Sequence, residues 1–186
     1  SMIDNEIDFA QNANNELKEI IQELETSLRD HENTFIKARG TDPDQAPRLK
    51  WSVLTYLAMA YKKMKDFKMA HEYFEKAVRT QTNILKLRAQ SYNDWALLYL
   101  EEGVFHEATE RFIVSTHLQP GNSQYYMTVA NSLYKYNNFD GAIRFYNKAK
   151  KLDKENPGIY SGLAFSYKKK NDIQTANQNL KLFKEY

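Results

Sequence analysis

The sequence predicts an all-α protein built as an array of antiparallel helix pairs, and three observations carry this. Gly (6) and Pro (4) are scarce among the 186 residues, which starves a many-turned β fold of its punctuation. Apolar residues recur three and four apart, the spacing of one helix face. A block of about 34 residues then returns along the chain with its apolar positions in register. With 42% hydrophobic and 27% charged residues the composition is that of an ordinary globular chain. No stretch approaches the roughly 20 consecutive apolar residues of a membrane span. Cys is absent, which excludes disulfides, thiolate zinc sites and cysteine nucleophiles. Ser1 ahead of Met2 reads as a tag remnant, so a targeting segment could be missing and the compartment stays open, the cytoplasm being slightly favoured.

The first element is an acidic amphipathic helix over residues 1–31. Ile3, Ile7, Ala10, Asn14, Leu17, Ile21, Leu24 and Leu28 alternate steps of four and three, the heptad seam of a continuous helix, and Phe9, Ala13 and Ile20 widen it. Such a seam needs an apolar partner. Its flanks at Gln11, Lys18, Glu25 and Ser27 offer few complementary charges, so packing against the rest of the chain is preferred to a parallel coiled coil. Residues 1–50 carry 11 acidic and 6 basic side chains, against 13 and 20 in residues 51–186, so the formal net charge of +2 hides two opposed charges. Residues 32–50, with Gly40, Pro43 and Pro47, read as a linker.

The repeats follow at 51–88, 89–122, 123–156 and 157–186. Tyr61, Phe67, Ala70, Phe74 and Ala77 return as Tyr99, Phe105, Ala108, Phe112 and Ser115, then as Leu133, Phe139, Ala142, Tyr146 and Ala149. A fourth copy reads Tyr167, Ile173, Ala176, Leu180 and Phe183. Ala58, Ala96, Ala130 and Ala164 form one small-residue column; Ala70, Ala108, Ala142 and Ala176 form a second. Two helices of a pair must approach closely there, and a larger side chain would hold them apart. Turns are expected at Lys65-Asp66, Gly103, Asn137-Asn138 and Asn171-Asp172. The first copy is four residues longer, about one helical turn. Its extra residues lie within Thr80–Arg88, which lacks Gly and Pro, so a lengthened helix is expected rather than a bulging loop.

These columns resemble the tetratricopeptide repeat family over residues 51–186, with Pro120 near the end of the second copy. Thr82 and Lys154 stand where that proline would recur, and Phe183 where a small residue is usual. The resemblance implies a right-handed superhelical solenoid whose first helices line a concave groove. Carried over by position, the groove residues are Thr55, Met59 and Lys62; Gln90, Asn93 and Leu97; Gln124, Met127, Asn131 and Tyr134; and Ser161, Phe165 and Lys168. Thioethers of Met59 and Met127 adapt to irregular apolar side chains, and the Asn and Gln amides can satisfy the backbone of an extended peptide. Some family members clamp a C-terminal carboxylate with Lys and Asn side chains; Thr55, Gln124 and Thr128 stand in those places, so no such clamp is expected.

The resulting expectation is a non-enzymatic scaffold or adaptor that binds a peptide or helix of another protein. One alternative is a small secretion-type chaperone that shields an apolar segment of a client. Another is a structural array that assembles with itself through the N-terminal helix or the last repeat. An RNA-binding helical repeat is the third, suggested by Tyr134-Lys135-Tyr136 and by Phe165-Ser166-Tyr167-Lys168-Lys169-Lys170. No cofactor or metal is expected. His71-Glu72 and His106-Glu107 begin like a zinc-protease motif, but each has Glu75 or Glu110 where the second His ligand belongs.

Overall fold

The computed structural model describes the backbone of residues 2–35, 45–80 and 84–185, and side chains of residues 13–30, 47–80 and 84–185. All regular structure among them is helical: α1 (Met2–Phe35), α2 (Gln45–Lys63), α3 (Phe67–Arg79), α4 (Leu85–Glu101), α5 (Phe105–Leu118), α6 (Ser123–Lys135), α7 (Phe139–Leu152), α8 (Pro157–Lys169) and α9 (Ile173–Glu185). The chain forms two compact units, Ser1–Ile84 and Leu85–Tyr186.

Each turn inside a pair follows one design. Lys65, Gly103, Asn137 and Asn171 adopt φ between 59° and 78°. At the first, the amide of Asp66 donates to the Tyr61 carbonyl (3.0 Å) and that of Lys65 to the Lys62 carbonyl (2.9 Å); Val104 to Tyr99, Asn138 to Leu133 and Asp172 to Tyr167 repeat the longer bond. This crossed pair of bonds closes the C-terminus of the first helix through one left-handed residue. The next residue begins the second helix: Asp66, Asn138 and Asp172 each accept from an amide three residues on, at 2.9–3.1 Å, satisfying an otherwise unpaired donor. Val104 holds the same place with no side-chain bond.

The small-residue columns lie inside the pairs, where Ala58, Ala96, Ala130, Ala70, Ala108 and Ala142 are wholly buried. In the second unit α5 packs on α6 and α7 on α8, so three pairs stack in sequence order. Their shared core runs through Phe112, Met127, Val129, Leu133, Tyr146, Ile159 and Leu163. Helix α4 has 17 residues where α6 and α8 have 13. The four extra residues of the first copy are therefore an added N-terminal turn, Leu85–Arg88, on α4.

In the first unit α1 packs against α2 with Ile21 buried and Leu17, Leu24 and Leu28 half-buried, the seam that the heptad pattern marks. Glu25 ties α1 to both helices of the first pair. Its carboxylate accepts from the hydroxyls of Tyr61 (2.9 Å) and Tyr73 (2.8 Å), whose rings stack at 5.4 Å and 9°. Two boundaries need correction. Helix α1 runs to Phe35, past the expected end at residue 31, and α2 begins at Gln45, inside the span read as a 32–50 linker. Pro47 falls in the first turn of α2, where its missing N–H has no intrahelical partner to lose. The remaining turn-rich stretch, residues 36–44, lies outside the described residues, as does Thr82.

Candidate peptide-binding face

The first helices of the repeats, α2, α4, α6 and α8, set the register of the predicted groove. One register position is Met59, Leu97, Asn131 and Phe165. Three of these are exposed apolar side chains: Met59 at 48%, Leu97 at 36% and Phe165 at 54%. This contrasts with the neighbouring position Ala60, Leu98, Ser132 and Ser166, which is buried in every copy. Exposure at one position and burial at the next is what a helix packed on one side alone requires.

Several predicted residues stand open as expected: Gln90, Gln124, Asn131 and Lys168 are exposed, and Lys62 and Ser161 are half-buried. The Ser161 hydroxyl is turned back onto the Gly158 carbonyl at 3.0 Å. Two residues do not belong to the surface. Thr55 is 5% exposed, and its hydroxyl finds no hydrogen-bond partner. Met127 is 9% exposed; its Sδ accepts from Asn156 Nδ2 at 3.5 Å, and its methyl meets Gly158 at the start of α8. It fills the contact between the third and fourth pairs, because in a stacked array this register is shared by groove and neighbour.

The amides are less free than their residue types suggest. Asn93 accepts from the Thr128 hydroxyl at 3.4 Å, a link between α4 and α6. Asn131 Oδ1 accepts from the Tyr146 hydroxyl on α7, which leaves its NH2 to face outward. Burial and then Tyr134 push the Tyr146 phenol up to about 12, so this donor keeps its proton at any ordinary pH. Tyr134 is half-buried, edge-on to Phe139 at 5.5 Å. Tyr136, which the repeat columns leave unassigned, is 56% exposed beside Phe105 at 6.4 Å.

The column Tyr73, Arg111, Phe145 and Asn179 rests against the first helix in the first three copies. Tyr73 stacks on Tyr61, the Arg111 guanidinium lies 4.5 Å from the Trp95 ring centroid and 6.0 Å from that of Tyr99, and Phe145 meets Tyr126 at 6.4 Å. For Arg111 the ring faces offer the attraction that its buried Nε lacks in hydrogen bonds.

Among the described residues no group of three or more His, Asp or Glu side chains is placed to hold a metal ion, and no helix is long and apolar enough to cross a membrane. His106 meets Glu110 at 3.5 Å as an ordinary surface neighbour one helical turn away.

Family models for the tetratricopeptide repeat match residues 51–83 and 130–171. Over these two stretches the chain is similar to the tetratricopeptide repeat. A TPR repeat-containing protein of Methanocaldococcus jannaschii is 42% identical over 55 residues, which is 30% of this chain and 10% of that protein. Among solved structures, MamA superposes with a TM-score of 0.65 at 17% identity, covering 90% of this chain and 91% of its own. BtubC from P. vanneervenii gives 0.68 at 17%, over 89% and 72%, and residues from 41 onward of MamA from Desulfovibrio magneticus give 0.63 at 16%, over 86% and 93%. At such identities the likeness is one of fold.

Proposed function

We propose that this chain is a non-enzymatic interaction scaffold that binds a peptide or an amphipathic helix of another protein along the first-helix face of its repeats. The observation that carries the reading is the single register position at which Met59, Leu97 and Phe165 stand exposed, while the adjacent register is buried throughout. Exposed apolar side chains at one register position of the first helices, such as Leu97 and Phe165 in the second unit, suit a partner whose own apolar side chains recur along its length. Leu97→Glu with Phe165→Glu tests this in the full chain. Leu97 is 36% and Phe165 54% exposed, and circular dichroism checks that the double variant keeps the fold. Proteins crosslinked to the wild type through this face should be lost from the double variant, and an unchanged set of captured proteins sinks the reading. Met127 and Asn131 are unsuited to the purpose, since one is interior and the other is bonded to Tyr146.

A second reading, self-association, is favoured by one observation. Phe183 on α9 is 41% exposed in the column where Ala77, Ser115 and Ala149 are wholly buried. Sedimentation over a range of concentrations decides it, since a constant mass excludes it. A single-strand RNA reader needs successive exposed rings. Tyr134 is packed on Phe139 and Tyr167 is half-buried, leaving Tyr136 and Phe165 as the exposed rings of those segments.

A further inference from the structure

Charge on three of the four first helices is one-sided, α4 being the exception with Asp94 and Glu101 beside Lys86 and Arg88. Helices α2, α6 and α8 contain no Asp or Glu at all, whereas they carry Arg48, Lys50, Lys62 and Lys63, then Lys135, then Lys168 and Lys169. In the second unit the three lysines fall beside the apolar register. Lys135 follows Asn131 by four residues on α6, and Lys168 and Lys169 follow Phe165 by three and four on α8. These are the spacings that put side chains on one helix face. Lys135, Lys168 and Lys169 are exposed, and among the described residues none forms an ion pair, whereas their neighbour Lys170 is answered by Asp140 on α7. Lysines at a helix C-terminus also complement the helix dipole. The dipole alone accounts neither for the absence of every acid from both helices nor for a 54% exposed Phe165 one turn before Lys168 and Lys169.

We propose that the α6 and α8 face selects an acidic partner segment: an extended peptide or helix that lays an apolar side chain on Phe165 and sets carboxylates against Lys135, Lys168 and Lys169. The outward NH2 of Asn131, its oxygen held by Tyr146, is the neutral donor for a backbone carbonyl between them. The inference rests on the scaffold reading and adds the chemistry of the ligand. Three unpaired cations on one face attract carboxylates mainly through encounter and register, and the attraction weakens with salt because the screening length is only about 8 Å at ~0.15 M.

The test uses the full chain and two fluorescein-labelled twelve-residue peptides of alternating Leu with Glu or Leu with Lys, followed by fluorescence anisotropy. The Glu peptide is expected to bind at least about tenfold more tightly than the Lys peptide, and raising salt should erase most of that difference. Lys135→Glu, Lys168→Glu and Lys169→Glu together should reverse the preference, with circular dichroism and the unfolding midpoint unchanged. Phe165→Ser should weaken the Glu peptide while leaving the salt dependence intact. Equal binding of the two peptides, no binding of either, or a preference that survives the triple reversal overturns the proposal. If proteins crosslinked through Leu97 and Phe165 are insensitive to the lysine reversal, the acidic selectivity fails and the scaffold reading stands. Loss of both is the failure of the scaffold reading itself.

Discussion

The Tyr146 ring occupies the space that a side chain at Gly162 would need. A Cβ placed on Gly162 would lie 2.2 Å from Cζ of Tyr146 and 2.6 Å from its hydroxyl oxygen. Tyr146 reaches this position from α7, packs on α8 through the glycine, and bonds to Asn131 on α6. One side chain thereby joins three helices of the second unit, and the aromatic at this column depends on an absent side chain in the next repeat.

Gly162→Ala is therefore expected to destabilise the second unit by about 1–3 kcal/mol, the usual range for overpacking a filled interior. Urea unfolding measures it. Combining the change with Tyr146→Leu, the residue type that Leu180 supplies at this column in the last copy, should recover part of the loss, because the smaller side chain makes room. If the two changes add without recovery, the ring is not the obstacle.

The four turns inside the helix pairs offer a comparison within one chain. Lys65 pays the left-handed penalty at φ 60°, whereas Gly103 holds that place at φ 78° with open space around it. Conversely, Asp66 caps α3, while Val104 leaves α5 without a side-chain cap. Lys65→Gly should stabilise the first unit by about 0.5–1 kcal/mol, since relief of left-handed strain exceeds the added freedom of the unfolded chain. Val104→Asp should stabilise the second unit by about 1 kcal/mol through a new bond to an orphan amide. Both are read as shifts in denaturation midpoint at unchanged slope, and a lower midpoint for either contradicts the turn design.

What could be read in the sequence was what repeats. The alanine columns, the turns at Lys65, Gly103, Asn137 and Asn171, and the added turn on α4 follow from local chemistry copied along the chain, so each copy checks the others. Pairings made once were not legible. Glu25 looks like a surface residue of α1 until α1 meets Tyr61 and Tyr73, and Asn131 looks like a free amide until Tyr146 reaches it. Thr55 and Met127 share a register with the half-buried Asn93 and Ser161, yet their fuller burial depends on which neighbour stacks there, and no periodicity within one helix encodes that. The start of α2 is not legible either, because Pro47 signals a turn in sequence and sits in a first helical turn in the fold.

The Glu25 contact sets an alkaline limit on the first unit. Burial raises the Tyr61 phenol, and the hydrogen bond and charge of Glu25 raise it further, to about 12; Tyr73 is raised by the same causes in the same order. A phenol whose value is higher in the folded state than in the unfolded chain, about 10, contributes stability that is complete below pH 10. That contribution is lost as pH climbs through 12, because in this window the unfolded chain has released protons the folded one retains. The expected outcome is a fall in the unfolding midpoint of the first unit from about pH 10 to 12, accompanied by late-titrating tyrosines in ultraviolet absorbance. Tyr146, raised by burial, titrates late in the second unit too, so the assignment needs a variant. Glu25→Gln keeps the shape of the contact and removes its charge; it should move part of the late absorbance toward pH 10 while leaving the Tyr146 component in place. Absorbance curves that superpose for the wild type and this variant mean that Glu25 does not hold the two phenols.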